Sequence, residues 1–250
     1  MKKNVGIITA IFFIVLPSRL SFTSELSDLE EKTKEAFILI EETWRLPKDK
    51  QPERIVKIYK EAIPSIYFIP FANLYTVSEV PENLPPAELA NWFLKEHGLS
   101  QFLIYIKRRG LNLLEKNILE TKRLIRNDLD LGPDKEKERA LLYISVFKLN
   151  EYEKDVADIF LHSTRLELRA AYAMRDLQMY DGIKLLVSKP ENPTEYFEIL
   201  RSLQKNRKAH NSIISLLDSP DSEIRWKAAY SLSESGDEDL ILQRHKGSRI

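Results

Sequence analysis

The sequence predicts an all-α chain in which an irregular helical region precedes an α-solenoid of short repeats in the C-terminal half. Three observations predict it. Seven glycines and twelve prolines in 250 residues are too few for a sandwich or barrel, which needs a turn roughly every 8–12 residues. Apolar residues recur with the helical period through most of the chain. The second half is also self-similar at a spacing near 29 residues, which marks stacked supersecondary units.

The elements follow in order. Residues 1–4 carry Lys2 and Lys3, residues 5–16 are apolar at ten of twelve positions, and residues 17–24 are short and polar. That is the layout of a secretory signal peptide over residues 1–23, with cleavage after Thr23. The apolar run is shorter than the about 20 residues a membrane span needs, so an uncleaved anchor is the alternative and stable insertion is not expected after processing. The expected localisation is periplasmic or extracellular. With no cysteine in the chain, a lipid tether, disulfides and thiolate chemistry are all excluded.

Residues 24–132 form the helical N-terminal region. A first helix is expected over residues 24–46, with Ala36, Ile38, Leu39 and Ile40 apolar and Ser27 and Glu30 as a capping box; Pro47 ends it. A second starts at Pro52 and carries Ile55, Ile58, Tyr59 and Ile63. Residues 64–86 hold five prolines and read as an irregular connection. A helix restarts at Pro86 and stops at Gly98, with His97 favoured at its C-terminus and Ser100 capping the next. That next helix runs over residues 101–129, with Leu103, Ile106, Leu111, Leu114, Ile118 and Ile125 on one stripe and Thr121 as its weak member. Gly110 in its middle predicts either a break or a close helix–helix approach. Gly132 and Pro133 end the region.

Residues 133–250 carry the repeat. Ala170-Ala171-Tyr172-Ala173-Met174 recurs 58 positions later as Ala228-Ala229-Tyr230-Ser231-Leu232, and half that offset lands on Ile199-Leu200-Arg201-Ser202-Leu203. A fainter copy is Leu141-Leu142-Tyr143-Ile144-Ser145. In the last copy Asp221 is placed to cap a helix, Ile224, Ala228 and Leu232 share one face, and Gly236 and Asp237 follow as stop and restart. This pattern of turn Asp, branched apolar residue, Arg225, Ala228-Ala229 and Gly236-Asp237 resembles the short HEAT-like repeat of phycobilisome-lyase-type proteins. The resemblance implies stacked helix pairs and a structural role for Arg225 and the turn Asp as a ladder between repeats. The chain departs from it where Glu167 and Tyr196 stand at the positions equivalent to Arg225. Residues 243–250 read as a polar tail.

No chemistry is written in the motifs. His97, His162, His210 and His245 fall in no metal-ligating pair, and the His-Glu dipeptides of the iron-dependent HEAT-like hydroxylases do not occur. No phosphate loop or nucleophile elbow occurs either. Runs such as Glu30-Glu31 and Glu41-Glu42 read as solvated helix faces. Catalytic, cofactor-binding and metal residues are therefore all expected to be none, and no cofactor is expected. Lys107, Arg108, Arg109, Lys122, Arg123 and Arg126 form a basic cluster, but 38 bases against 38 acids argue against nucleic acid as partner. Removal of residues 1–23 takes three bases and no acid, leaving a slightly acidic chain. Trp44, Trp92 and Trp226 are expected in the core or packed in grooves. The expectation is an exported, non-enzymatic scaffold that binds a protein partner. The alternative is an envelope enzyme or accessory with a cleft between its two regions.

Overall fold

The computed structural model describes residues 19–64, 80–81, 83–188, 199–200, 202–203 and 206–233, with the backbone alone at 19–26, 181 and 188. Residues 1–18 of the expected signal segment, most of the proline-rich connection, Tyr196, Gly236, Asp237 and the tail lie outside them. Among the described residues every regular element is helical, and no helix is long and apolar enough to cross a membrane. The chain divides into two compact units, Met1–Leu113 and Leu114–Ile250. Pro133 lies inside the second.

In the first unit, helix α1 spans Arg19–Arg45, and Pro47 follows with φ −55°. Because α1 begins before Ser27, the Ser27/Glu30 pair is helix interior and not a cap; Glu30 instead pairs with Lys34 at 3.0 Å. Helix α2, Pro52–Lys57, opens on its proline as expected and passes into a π-helical turn over Ile58–Ala62. Ile55, Ile58, Tyr59 and Ile63 are all fully buried.

Helix α3 spans Pro86–Lys116 and is folded on itself at Gly98, whose φ of 73° and ψ of 169° belong to a region that glycine alone populates readily. The expected stop at Gly98 is therefore present, made by an extended positive-φ residue; Ser100 lies within the helical run. The fold at Gly98 brings Phe93 and Phe102 together at 5.5 Å, and both rings meet Phe37 of α1. Tyr105 completes the cluster at 4.5 Å from Phe93. Gly110 does not break the helix. A Cβ there would collide with the δ-methyls of Ile63 and of Ile40, the latter at 2.9 Å, so the glycine admits two neighbouring segments.

The break in the long segment comes at Asn117, with φ −110° and ψ 39°, and α4 (Ile118–Leu131) follows. Thr121 explains why a polar residue interrupts the apolar stripe. Fully buried, its hydroxyl donates to the Leu114 carbonyl at 2.9 Å and the Asn117 carbonyl at 3.1 Å, so the polar atom is satisfied at the break, where the same carbonyls also accept the Asn117 and Thr121 amides.

The second unit continues with α5 (Asp134–Phe147), α6 (Glu153–His162), α7 (Glu167–Asp176), α8 (Ile183–Ser188), α9 (Arg207–Ser215) and α10 (Ser222–Ser233). Helix α4 packs on α5, α6 on α7, and α5 on α7, while α8, α9 and α10 pack together. The first position of the repeated pentad is buried in all four copies, at Leu141, Ala170, Ile199 and Ala228. Its third position diverges. Tyr143 is fully buried, Tyr172 is half-buried and Tyr230 is exposed.

Candidate interaction surface

Helix α10 is positioned by its first turn. Asp221 accepts the Glu223 amide at 2.8 Å, the expected N-cap bond. Arg225 turns back, its Nη1 donating to the Ser219 carbonyl at 2.7 Å and the Pro220 carbonyl at 2.9 Å, so it ties down the preceding turn. Lys227 is buried and pairs with Glu223 at 2.7 Å. Both cations flanking residue 226 thus have partners within their own helix and its leading turn.

Trp226 and Tyr230 stand four residues apart, on one helix face. Their rings stack with centroids 5.6 Å apart and planes 23° from parallel. They are 59% and 42% exposed, which corrects the expectation that Trp226 packs inward. The tyrosines at the equivalent of residue 230 are each covered by a neighbour within their own helix. Tyr143 stacks on Phe147 at 6.1 Å, and Tyr172 carries the Arg175 guanidinium 5.0 Å from its ring centre. In α10 the neighbouring ring is a second large aromatic group, and both are accessible.

The other tryptophans sit in the first unit. Trp44 is covered by the Arg109 guanidinium at 3.8 Å, and Trp92 lies edge-on to Phe93 and to His97, each at 5.1 Å.

The six cations read as a basic cluster are divided between the units, and four of them are held in ion pairs. Arg109 pairs with Glu41 at 2.8 Å, Lys122 with Glu151, Arg123 with Glu120 at 2.6 Å, and Arg126 with Asp155 at 2.8 Å. Hydrogen bonding to Lys122 holds the Glu151 carboxyl below its ordinary value, and hydrogen bonding to Arg123 does the same for Glu120. Burial lowers the Lys107 ammonium.

Among the described residues two carboxylates are buried, one of them, Glu41, in a run that the sequence places on a solvated face. Glu41 is 3% exposed beneath Arg109, whereas its neighbour Glu42 is exposed and meets Arg54 at 2.6 Å. Asp128 is fully buried and takes a two-pronged contact from Arg139 at 2.8 and 2.9 Å. These pairs are structural in geometry, since each carboxylate is matched to one guanidinium. Among the described residues no group of three or more His, Cys, Asp or Glu side chains could hold a metal ion.

A set of contacts absent from the sequence reading joins successive helix pairs. Arg126 and Asp155 are 29 positions apart and link α4 to α6, where the Tyr152 hydroxyl also donates to the Lys122 carbonyl across 30 positions. Asp134 with Arg165 and Glu138 with Arg169, each 31 apart, link α5 to the α7 side, and Lys148 donates to the Asp176 carbonyl 28 positions on. The separations match the spacing of the sequence repeat. A search for opposite charges one repeat apart would have found them.

No protein-family model, curated protein or solved structure matches the chain.

Proposed function

We propose that this chain is an exported, non-enzymatic interaction module whose second unit is a short HEAT-like array and whose ligand is another protein. The observation that carries the reading is the accessible Trp226–Tyr230 pair on α10. Exposed tryptophan and tyrosine are the side chains most enriched among binding hot spots, because they bury much area while ordering few torsions. The flanking Arg225 and Lys227 are already engaged, so a partner meets an aromatic ridge without having to displace their ion pairs and hydrogen bonds first. Contacts at one-repeat spacing support the array, since neighbouring units in such proteins are held by a recurring interface. Export rests on the basic, then apolar, then polar order of residues 1–24.

The test is quantitative crosslinked capture from the envelope fraction with parent and Trp226→Ala/Tyr230→Ala chains, each checked by urea denaturation. The exposed double substitution is expected to leave stability nearly unchanged and to reduce recovery of the parent's reproducible partner by about tenfold or more. Equal recovery by both chains would overturn the assignment of the surface. N-terminal sequencing of the mature protein is expected to begin near Ser24, and an intact apolar segment would replace export with anchoring.

A further inference from the structure

A groove of about 220 Å³ opens between α1 and the α2/π-turn segment of the first unit. Small side chains make it. Its floor is Ala36, Leu39 and Ala62, and the two alanines leave space that larger residues would fill. Its rim carries Lys32 and Glu35 from α1 and Lys57 and Glu61 from the second segment.

The rim charges are unpaired among the described residues, as are other exposed charges of this unit such as Glu31, Lys50 and Glu53, but these four converge on one apolar groove. Among the described residues, Lys32, Glu35, Lys57 and Glu61 enter no ion pair or hydrogen bond through their side chains, while nearby Lys34 and Arg54 are paired with Glu30 and Glu42. Lys32 precedes Glu35 by three positions and Lys57 precedes Glu61 by four. Lysine ahead of glutamate is the weaker order for a helical pair, so the four heads stay available to a ligand. The π-turn Ile58–Ala62 contributes both Glu61 and Ala62 to the wall, and π-turns are frequent at functional sites.

We infer that this groove binds a short aliphatic zwitterion, an α-amino acid or a dipeptide with both termini free. Two ammonium and two carboxylate groups surround an apolar floor, so a ligand with one charge of each sign and a short hydrocarbon body satisfies all three features. A purely anionic or cationic ligand leaves the like-charged pair facing it. The volume of about 220 Å³ falls below the roughly 300–1,000 Å³ of sites for drug-sized ligands, which limits the occupant to amino-acid or dipeptide size. Because the rim is solvent-exposed, binding is weak, with Kd on the order of 1 mM. The site lies wholly within the first unit and does not depend on the aromatic ridge of α10.

The test is amide chemical-shift titration of the full chain with leucine and with dialanine to about 20 mM, well above that Kd. Saturable shifts centred on Ala36, Leu39 and Ala62 are expected, and the tighter of the two probes tells free amino acid from peptide. The one-charge analogues 4-methylpentanoate and 3-methylbutylamine should bind about three- to fivefold more weakly, each lacking one exposed charge contact that the zwitterion makes. Lys57→Met and Glu61→Gln, both at exposed positions that leave the fold intact, should each weaken leucine binding. Absence of saturable shifts with both zwitterions, equal binding by the one-charge analogues, or unchanged affinity in both variants would overturn the inference.

Discussion

The two units hold themselves together by different means. In the first, rings do most of it. Phe37, Phe93, Phe102 and Tyr105 meet at 4.5–6.3 Å, gathered by the fold of α3 at Gly98. In the second, alanines fill buried repeat positions in two of the copies, at Ala170, Ala171, Ala173 and Ala228, where the others carry Leu141 and Ile199, and charged groups one repeat apart join neighbouring helices. The difference follows from side-chain size. Aromatic groups fill an irregular space once, whereas alanines let helices approach closely and leave orientation to the ion pairs around them. The first arrangement depends on a few irreplaceable backbone points, the second on matched charges.

The largest expected effect tests that dependence in the second unit. Arg139→Met removes the guanidinium from Asp128, whose side chain is 1% exposed. Stranding a buried charge in this way costs about 3–5 kcal/mol, read as a fall in the urea midpoint at constant slope. Replacing both partners together, as Asp128→Leu/Arg139→Met, should recover much of that loss, because the stranded charge is then gone. If the single variant were as stable as the parent, the pair would be peripheral to the unit's stability.

Gly98→Ala is the corresponding change in the first unit. No atom lies within 4 Å of the position a Cβ would take, so only the backbone resists. Holding an alanine at that φ and ψ costs about 1–3 kcal/mol, again read from urea denaturation. A neutral outcome would mean that the rings, and not the glycine, set the fold of α3.

A smaller effect is expected at the link between α4 and α6. Arg126 makes two bonds to Asp155, at 2.8 and 2.9 Å, and its guanidinium lies 4.9 Å from the Tyr152 ring centre. The pair is partly exposed, so Arg126→Ala should cost no more than about 1 kcal/mol. A double-mutant cycle with Asp155→Asn isolates the pairwise part; a coupling of zero would remove this contact from the account of how the helix pairs are joined.

Proline-set limits were legible from the residues alone. Pro47, Pro52, Pro86 and Pro133 each stand at a helix boundary, because proline cannot donate within a helix but suits its first turn. The all-helical character and the buried first position of the repeat were legible for a similar reason, since both follow from local periodicity. The burial of Glu41 and Asp128 was not. An acid in a charged run looks the same whether it faces water or a guanidinium 68 positions away, as Arg109 is from Glu41. The exposure of Trp226 was hidden in the same way, because Leu168 stands at the equivalent position in the earlier copy and nothing local distinguishes a covered ring from an open one. The accessible ridge is visible only where the described third positions, Tyr143, Tyr172 and Tyr230, are compared in space.

The pH dependence of the second unit separates the α4–α6 link from pairing within α4. The Glu151 carboxyl is depressed chiefly by its hydrogen bond to Lys122, and the Lys122 ammonium is raised chiefly by the same bond. The Glu120 carboxyl is depressed by Arg123, three residues along the same helix. A carboxylate with a depressed folded value binds fewer protons folded than unfolded, so its contribution is present above the ordinary glutamate value of about 4.3 and is lost as pH falls through the depressed one. An ammonium with a raised value behaves oppositely: its contribution is present below about 10.4 and is lost as pH rises through the raised one. Stability from the Lys122–Glu151 pair is thus flat across neutral pH and declines at both ends. Both side chains are more than a third exposed, so the amplitude is small. Glu151→Gln should flatten both limbs of the urea midpoint against pH, whereas Glu120→Gln should flatten the acid limb alone. If Glu151→Gln left the alkaline limb unchanged, Lys122 would be held by something other than Glu151, and this joint between helix pairs would lose its ionic component.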